Sequence, residues 1–175
     1  MGFEYRVKDQ GGLYFVTFTV HQWVDVFTRK LYVDLLLDSI KYCQCEKGLK
    51  VYAWIIMSNH CHLIISAAEE NLSDIIRDLK KFTSKSIYKA IQENTRESRR
   101  EWLIKVLSYN GKVWFWEEGY HGEEILSESF SDSKVDYLHL NPVRSGIIEK
   151  AEDYLWSSAG DFYGVRKGFL VLSEL

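Results

Sequence analysis

The chain predicts an α+β fold of the ferredoxin-like, split-βαβ type, and three observations carry that expectation. Segments with strand and helix patterns alternate in the order β-α-β-β-α-β and are followed by one more helix. The middle two strands are separated only by Ser58 and Asn59, which suits a tight antiparallel hairpin. The long second helix places apolar residues at helical spacing, as a helix packed on one face of a sheet must. The expected architecture is one four-stranded antiparallel sheet with helices on one face, plus a C-terminal helix that bears a tyrosine.

Each element has its own signal. Leu13–Val20 is β-branched and aromatic and follows Gly11-Gly12, so it reads as the first strand. Lys30–Glu46 carries Leu31, Leu35, Ile40 and Cys43 at helical spacing, with Gly48 as its stop. Val51–Met57 and His60–Ser66 are the second and third strands. Asn71 or Ser73 caps a helix that runs through Leu72, Ile75, Ile76, Leu79, Phe82, Ile87 and Ile91 to about Asn94. Gln92–Gly111 reads as an irregular or partly helical connection, and the alternating bulky residues of Lys112–His121 suit the fourth strand. Ser131–Leu140 reads as the last helix, with Ser131 or Ser133 as cap and Asn141-Pro142 as stop.

Composition bounds the function. A length of 175 residues fits a single domain, read as 1–175, with no repeat, low-complexity tract or linker. No apolar run reaches the roughly 20 residues a membrane helix needs. The charged start, with Glu4, Arg6, Lys8 and Asp9, lacks the apolar core of a secretory leader. Cys43, Cys45 and Cys61 are odd in number and lack zinc-knuckle spacing, so they are expected as reduced packing thiols in a cytoplasmic protein. The net charge of −3 hides a segment from Asn71 to Lys105 with nine basic and five acidic residues, followed by an acidic one from Glu117 to Asp136.

Two sets of residues carry chemistry. His60 and His62 alternate with Cys61 along a strand and therefore share one face, where two imidazoles can grip a divalent cation or be an ordinary hydrogen-bonded pair. Tyr137 and Asn141, four apart on a helix, share a face with Lys134. A phenol can attack phosphorus, and an amide oxygen one turn away can join two histidines as a metal ligand. Equally, the tyrosine can be a surface residue and the asparagine a helix terminator. Arg77, Lys81, Lys85 and Lys89 recur every four residues as a basic stripe, either a DNA-binding surface or a solvated face. Tyr88, Trp114, Trp116 and Trp156 are candidates for stacking on bases and also for the core. His139, two residues after Tyr137, should point away from it, and His21 and His121 have no assigned role.

Three stretches resemble the REP-associated tyrosine transposases, which belong to the single-tyrosine HUH transposases. MSNHCHLII is similar to the family's His-hydrophobic-His strand, VDYLHLNPVRSGII to its tyrosine helix and Asn-Pro-Val turn, and DYLWSSA to a segment just downstream. The order of the three covers nearly the whole chain. The resemblance implies cleavage and rejoining of single-stranded DNA beside an imperfect hairpin, by transesterification through a 5′-phosphotyrosine with release of a 3′-hydroxyl. It implies a divalent cation, Mg²⁺ or Mn²⁺, held by His60 and His62 with Asn141 as third ligand, and Tyr137 as nucleophile. Lys134 is a candidate for neutralising phenolate or phosphate. Similar proteins occur as monomers and as homodimers with shared active sites. Ser58 stands where a proline is usual, which should loosen the hairpin turn, and the Gln92–Gly111 connection is longer than in compact members. The alternatives are a domesticated protein that binds single-stranded or hairpin DNA without cleaving it, and a phosphoesterase that uses metal-bound hydroxide.

Overall fold

The four-stranded antiparallel sheet expected from the sequence forms, but a short polar segment takes its edge position. The computed structural model describes residues 7–175; Glu4 and Arg6, used above against a secretory leader, lie outside the described residues. Strand β1 (Tyr14–Thr19) is followed by a 3-10 turn (His21–Trp23), helix α1 (Lys30–Lys47), strands β2 (Leu49–Ile56) and β3 (His60–Ala67), and helix α2 (Leu72–Glu93). Helix α3 (Arg100–Val106), the short strands β4 (Ser108–Tyr109) and β5 (Lys112–Val113), and strand β6 (His121–Glu124) come next. Helices α4 (Glu128–His139), α5 (Asn141–Arg144) and α6 (Ala159–Phe162) complete the chain. The sheet order is β2-β3-β1-β6, all antiparallel, which is the ferredoxin-like order read from one edge.

Side-chain alternation divides the core in two. Cys61, Leu63 and Ile65 of β3 and Tyr14, Val16 and Phe18 of β1 face α1 and α2, making the larger core. Phe15, Ala53, Ile55 and Ile64 face the opposite way and pack with Val135 and Leu138 of α4. The tyrosine helix therefore covers the sheet face that carries His60 and His62. Gly48 ends α1 in the left-handed conformation (φ 70), which glycine adopts without the Cβ clash other residues meet. Edge strand β2 is not left bare: Ile56 N–H donates to Trp156 O and Ser158 N–H to Trp54 O, and an isolated bridge joins Ile55 to Ser157. The DYLWSSA segment thus closes an otherwise open sheet edge.

The structure corrects the fourth strand. Lys112–His121 is the expected strand, but Asn110 (φ 50) and Gly111 (φ 73) turn the chain back so that Lys112–Val113 pairs with Ser108–Tyr109 in a separate hairpin. Trp116 makes one bridge to Val20, and the ladder to β1 then resumes at His121–Glu124, which is the true fourth strand. Asn-Gly is a strong hairpin signal, whereas His-Gly-Glu-Glu has no β-branched or aromatic residue to betray a strand. Helix α4 also starts earlier than expected. Its cap is Ser127, whose hydroxyl accepts the Phe130 N–H at 3.3 Å, rather than Ser131 or Ser133. Asn141-Pro142 does not stop the chain's helical course but opens α5, where proline at the first turn lacks no needed donor. The Ser58–Asn59 turn is tied down, not loosened: Ser58 Oγ donates to Asp25 Oδ1 at 2.6 Å and Ser58 O accepts the Phe27 N–H at 2.8 Å.

Candidate active site

His60 and His62 lie 4.9 Å apart, centroid to centroid, on the α4 side of the sheet. Each imidazole is oriented through its Nδ1. Asn59 Oδ1 lies 2.7 Å from His60 Nδ1, and the Asn59 amide nitrogen donates to Trp23 O and to Asp25 Oδ1, both at 3.2 Å. With its oxygen thus facing the ring, Asn59 accepts from Nδ1–H and leaves His60 Nε2 as the ring's acceptor. His62 Nδ1 contacts Thr17 Oγ1 at 2.8 Å, across the β1–β3 register that pairs Thr17 with His62. Phe15 stacks on the His62 ring at 5.1 Å and Trp23 meets the His60 ring edge-on at 5.8 Å.

Burial disfavours the charged form of both imidazoles. It lowers the basicity of His60, and it pushes His62 down to about 3, with the cations Arg144 and Lys134 nearby adding to the effect. A neutral imidazole with one oriented nitrogen is the form that ligates a metal.

Helices α4 and α5 bring the remaining groups to this pair. The Tyr137 ring lies 5.8 Å from the His62 ring and 5.9 Å from Phe15, with the side chain about half exposed. Asn141 Nδ2 lies 3.4 Å from His60 Nε2; rotation of the amide by half a turn presents Oδ1 in its place. Among the described residues no group of three His, Cys, Asp or Glu side chains forms a cation site; the Asn141 amide is a donor that could join the two histidines. The residues present fit a cation with two nitrogen ligands and one oxygen ligand and open positions beyond them.

Positive charge surrounds the phenol. The Arg144 guanidinium sits 4.5 Å from the centre of the Tyr137 ring and donates to Tyr137 O at 2.5 Å. Lys134 Nζ lies 5.9 Å from the same ring and 5.0 Å from that of Phe15, and it pairs with Glu123 at 2.5 Å. His121 joins the same sheet face because it pairs with Thr17, which pairs with His62. His139 points the other way, as expected. Its Nε2 lies 2.8 Å from Ser158 Oγ, and Ser158 Oγ also accepts the Trp54 N–H at 2.9 Å.

Not every candidate gathers here. The stripe Arg77, Lys81, Lys85 and Lys89 lies on α2, which packs against the other face of the sheet. Arg77 pairs with Asp74 and Asp78, and Lys89 with Glu93. Tyr88 and Trp116 are buried, whereas Trp114 is 41 % exposed. Cys43, Cys45 and Cys61 are free thiols, and Cys43 and Cys61 are buried. Sequence reasoning misses Thr17, Asn59, Asp25 and Arg144. A polar residue directly before the histidines is the one available signal, since the rest depend on pairings between distant segments.

No helix of the described residues is long and apolar enough to cross a membrane. A family model described as "Transposase IS200 like" matches residues 12–135. A REP-associated tyrosine transposase bound to a REP hairpin matches with a TM-score of 0.70 and 19 % identity, over 95 % of this chain and 89 % of that one. A provisionally assigned transposase from Deinococcus radiodurans R1 matches with a TM-score of 0.48 and 16 % identity, over 78 % of this chain and 94 % of that one. No curated protein matches the chain in sequence.

Proposed function

The chain belongs to the IS200-like transposase family, and from that premise we propose that it is a metal-dependent DNA strand transferase that cleaves and rejoins single-stranded DNA beside a hairpin through Tyr137. One observation carries this reading: a half-exposed phenol ring lies 5.8 Å from one of two paired imidazoles, with the Asn141 amide beside the other. A hydrolase using metal-bound hydroxide needs no such phenol. The hairpin as partner follows the related transposase, which holds a REP hairpin. We read the whole chain as one such domain, acting in the cytoplasm.

His60, His62 and Asn141 would hold the cation. When bound, Mg²⁺ or Mn²⁺ would withdraw charge from the scissile phosphate and make phosphorus more electrophilic. Thr17 and Asn59 hold the imidazole rings in one orientation, and Asn59 sets the tautomer of His60. Tyr137 Oη attacks phosphorus in line. The new O–P bond forms as the P–O3′ bond breaks, the phenol proton leaves Oη, and the departing 3′-oxygen takes up a proton. The 5′-phosphotyrosine keeps the phosphodiester bond count unchanged, so a 3′-hydroxyl can reverse the step and rejoin strands. Arg144, against the phenol ring, offsets the negative charge that develops on Oη and on the phosphate. Lys134 adds to that field, moderated by Glu123.

Incubation with labelled hairpin DNA carrying a single-stranded flank, in Mn²⁺, tests the reading. A protein–DNA adduct that survives denaturing electrophoresis is expected. Tyr137→Phe should abolish it, and chelation with EDTA should prevent it in the native chain. Cleavage without an adduct would point to the hydrolase. A mobility shift without cleavage would point to the domesticated binding protein.

A further inference from the structure

Three large aromatic side chains lie half-exposed around one groove that the strand-transfer chemistry does not use. Trp102 of α3 is 51 % exposed, Tyr109 of β4 70 % and Trp114 41 %. They line a groove of about 550 Å³ together with His21, Gln22 and Lys105, a size within the range of roughly 300–1,000 Å³ common to small-ligand sites. Two other tryptophans of the chain are buried. Trp54 is fully buried, and Trp116 is 7 % exposed with its Nε1–H donating to Thr83 Oγ1 at 3.0 Å.

The groove is built on fixed elements. Leu103 and Leu107, on either side of Lys105, are fully buried, and Trp114 N–H donates to Leu107 O at 2.9 Å. The opposite wall is the turn His21–Trp23, where Gln22 (φ 53) and Trp23 (φ 56) both adopt the left-handed conformation. Side chains there crowd the backbone, and Glu117 holds the turn by accepting the Gln22 N–H at 2.7 Å. The same turn reaches the candidate active site, since Trp23 O accepts from Asn59 and the Trp23 ring, 60 % exposed, meets His60. Groove and histidine pair are thus two sides of one strained three-residue turn.

We propose that this groove is a stacking site for an unpaired nucleobase of the DNA strand whose phosphate lies at His60 and His62; the proposal rests on the strand-transfer reading. Aromatic faces accept any base, because every base has a π-face. Lys105, the one formally charged lining residue, suits the adjoining phosphate, and Gln22 supplies hydrogen-bonding groups for a base edge. The long Gln92–Gly111 connection thereby supplies Trp102, Lys105 and Tyr109 to the flank of the substrate.

Anisotropy titrations in EDTA separate binding from cleavage. Two probes are compared, a hairpin with a single-stranded flank and the same hairpin cut blunt. Trp102→Ala and Trp114→Ala should each weaken the flanked probe about tenfold and leave the blunt one unchanged, while Trp114→Phe should stay within about threefold of the native chain. Both tryptophans are half-exposed, so the alanine variants should keep their thermal melting transitions. A second measurement needs no variant: 5-iodouracil placed along the flank is photo-cross-linked to the native protein and mapped by peptide mass. A label within residues 102–114 or at His21–Gln22 is expected. Unchanged affinity of both alanine variants for the flanked probe overturns the assignment, as does a label found only outside the groove residues. Failure of the strand-transfer reading looks different: flanked DNA still cross-links in the groove, but no covalent adduct forms at Tyr137.

Discussion

At the scale of single residues, the histidine pair depends on groups that never touch a substrate. Asn59 selects the Nδ1–H tautomer of His60, and Thr17 fixes the His62 ring through its Nδ1. Losing one such partner typically lowers metal affinity by about 10- to 100-fold without removing a ligand. Asn59→Ala and Thr17→Val should therefore each weaken Mn²⁺ binding by roughly that factor, read by electron paramagnetic resonance titration, with the fold intact. An unchanged dissociation constant in both would show that the rings are held by packing against Phe15 and Trp23 instead. The sequence made His60, His62, Tyr137 and Asn141 legible because periodicity within one strand or one helix sets relative direction. It concealed Thr17 and Arg144, whose roles come from register between strands and from contact between a helix and the residue seven positions earlier. It also concealed which layer the Arg77–Lys89 stripe occupies, since spacing of four gives the face of a helix but not the face of the sheet it covers.

At the scale of elements, the tyrosine helix is anchored from behind. His139 of α4 meets Ser158, and Ser158 is fixed to edge strand β2 through Trp54. Two of the three stretches that suggested a family by resemblance are thus bonded to each other across the sheet edge. Ser158→Ala would leave the buried His139 Nε2 and the Trp54 N–H without this partner, at a cost of about 1–3 kcal/mol, read by urea unfolding. It should also slow adduct formation, because α4 sets where Tyr137 lies relative to His62. Helix α2 is joined to the turn before β6 by Lys80, whose ammonium donates to Glu117 O and Gly119 O over the Phe18 ring. Burial pushes Lys80 down to about 8 from the 10.5 of a free lysine. Between those two values the unfolded chain binds the proton and the folded chain does not, so stability rises with pH across the window and is lost as pH falls to 8. The unfolding free energy of the native chain relative to Lys80→Met should therefore increase from pH 8 to pH 10, and a flat difference would mean that Lys80 stays charged and paired throughout. The fold class and the first three strands were legible because long β-branched runs and a glycine stop dominate them. The fourth strand was not, because His-Gly-Glu-Glu pairs with β1 only once the Asn110-Gly111 hairpin has diverted the aromatic segment before it.

At the scale of the whole molecule, one chain supplies every group of the candidate site. His60 and His62 come from β3, Tyr137 from α4 and Asn141 from α5, all on one face of one sheet. A homodimer with exchanged helices would instead bring the phenol of one copy to the histidines of the other. The two arrangements differ in a mixing experiment. Take His60→Ala, which keeps the phenol, and Tyr137→Phe, which keeps the histidines. In a dimer with exchanged helices, subunit exchange creates one composite site with both intact parts, so a mixture recovers adduct formation that neither variant has alone. In the arrangement seen here each variant lacks half of its own site, and no mixture repairs it. We expect no recovery at any ratio, and specific activity of the native chain that does not change on dilution. Recovery approaching a quarter of the native level in an equimolar mixture would show that α4 crosses between subunits in the active form. Because Arg144 bonds to Tyr137 O and His139 to Ser158 within the same chain, such a crossing would have to carry α4 and α5 together and break the contacts that hold them to β2.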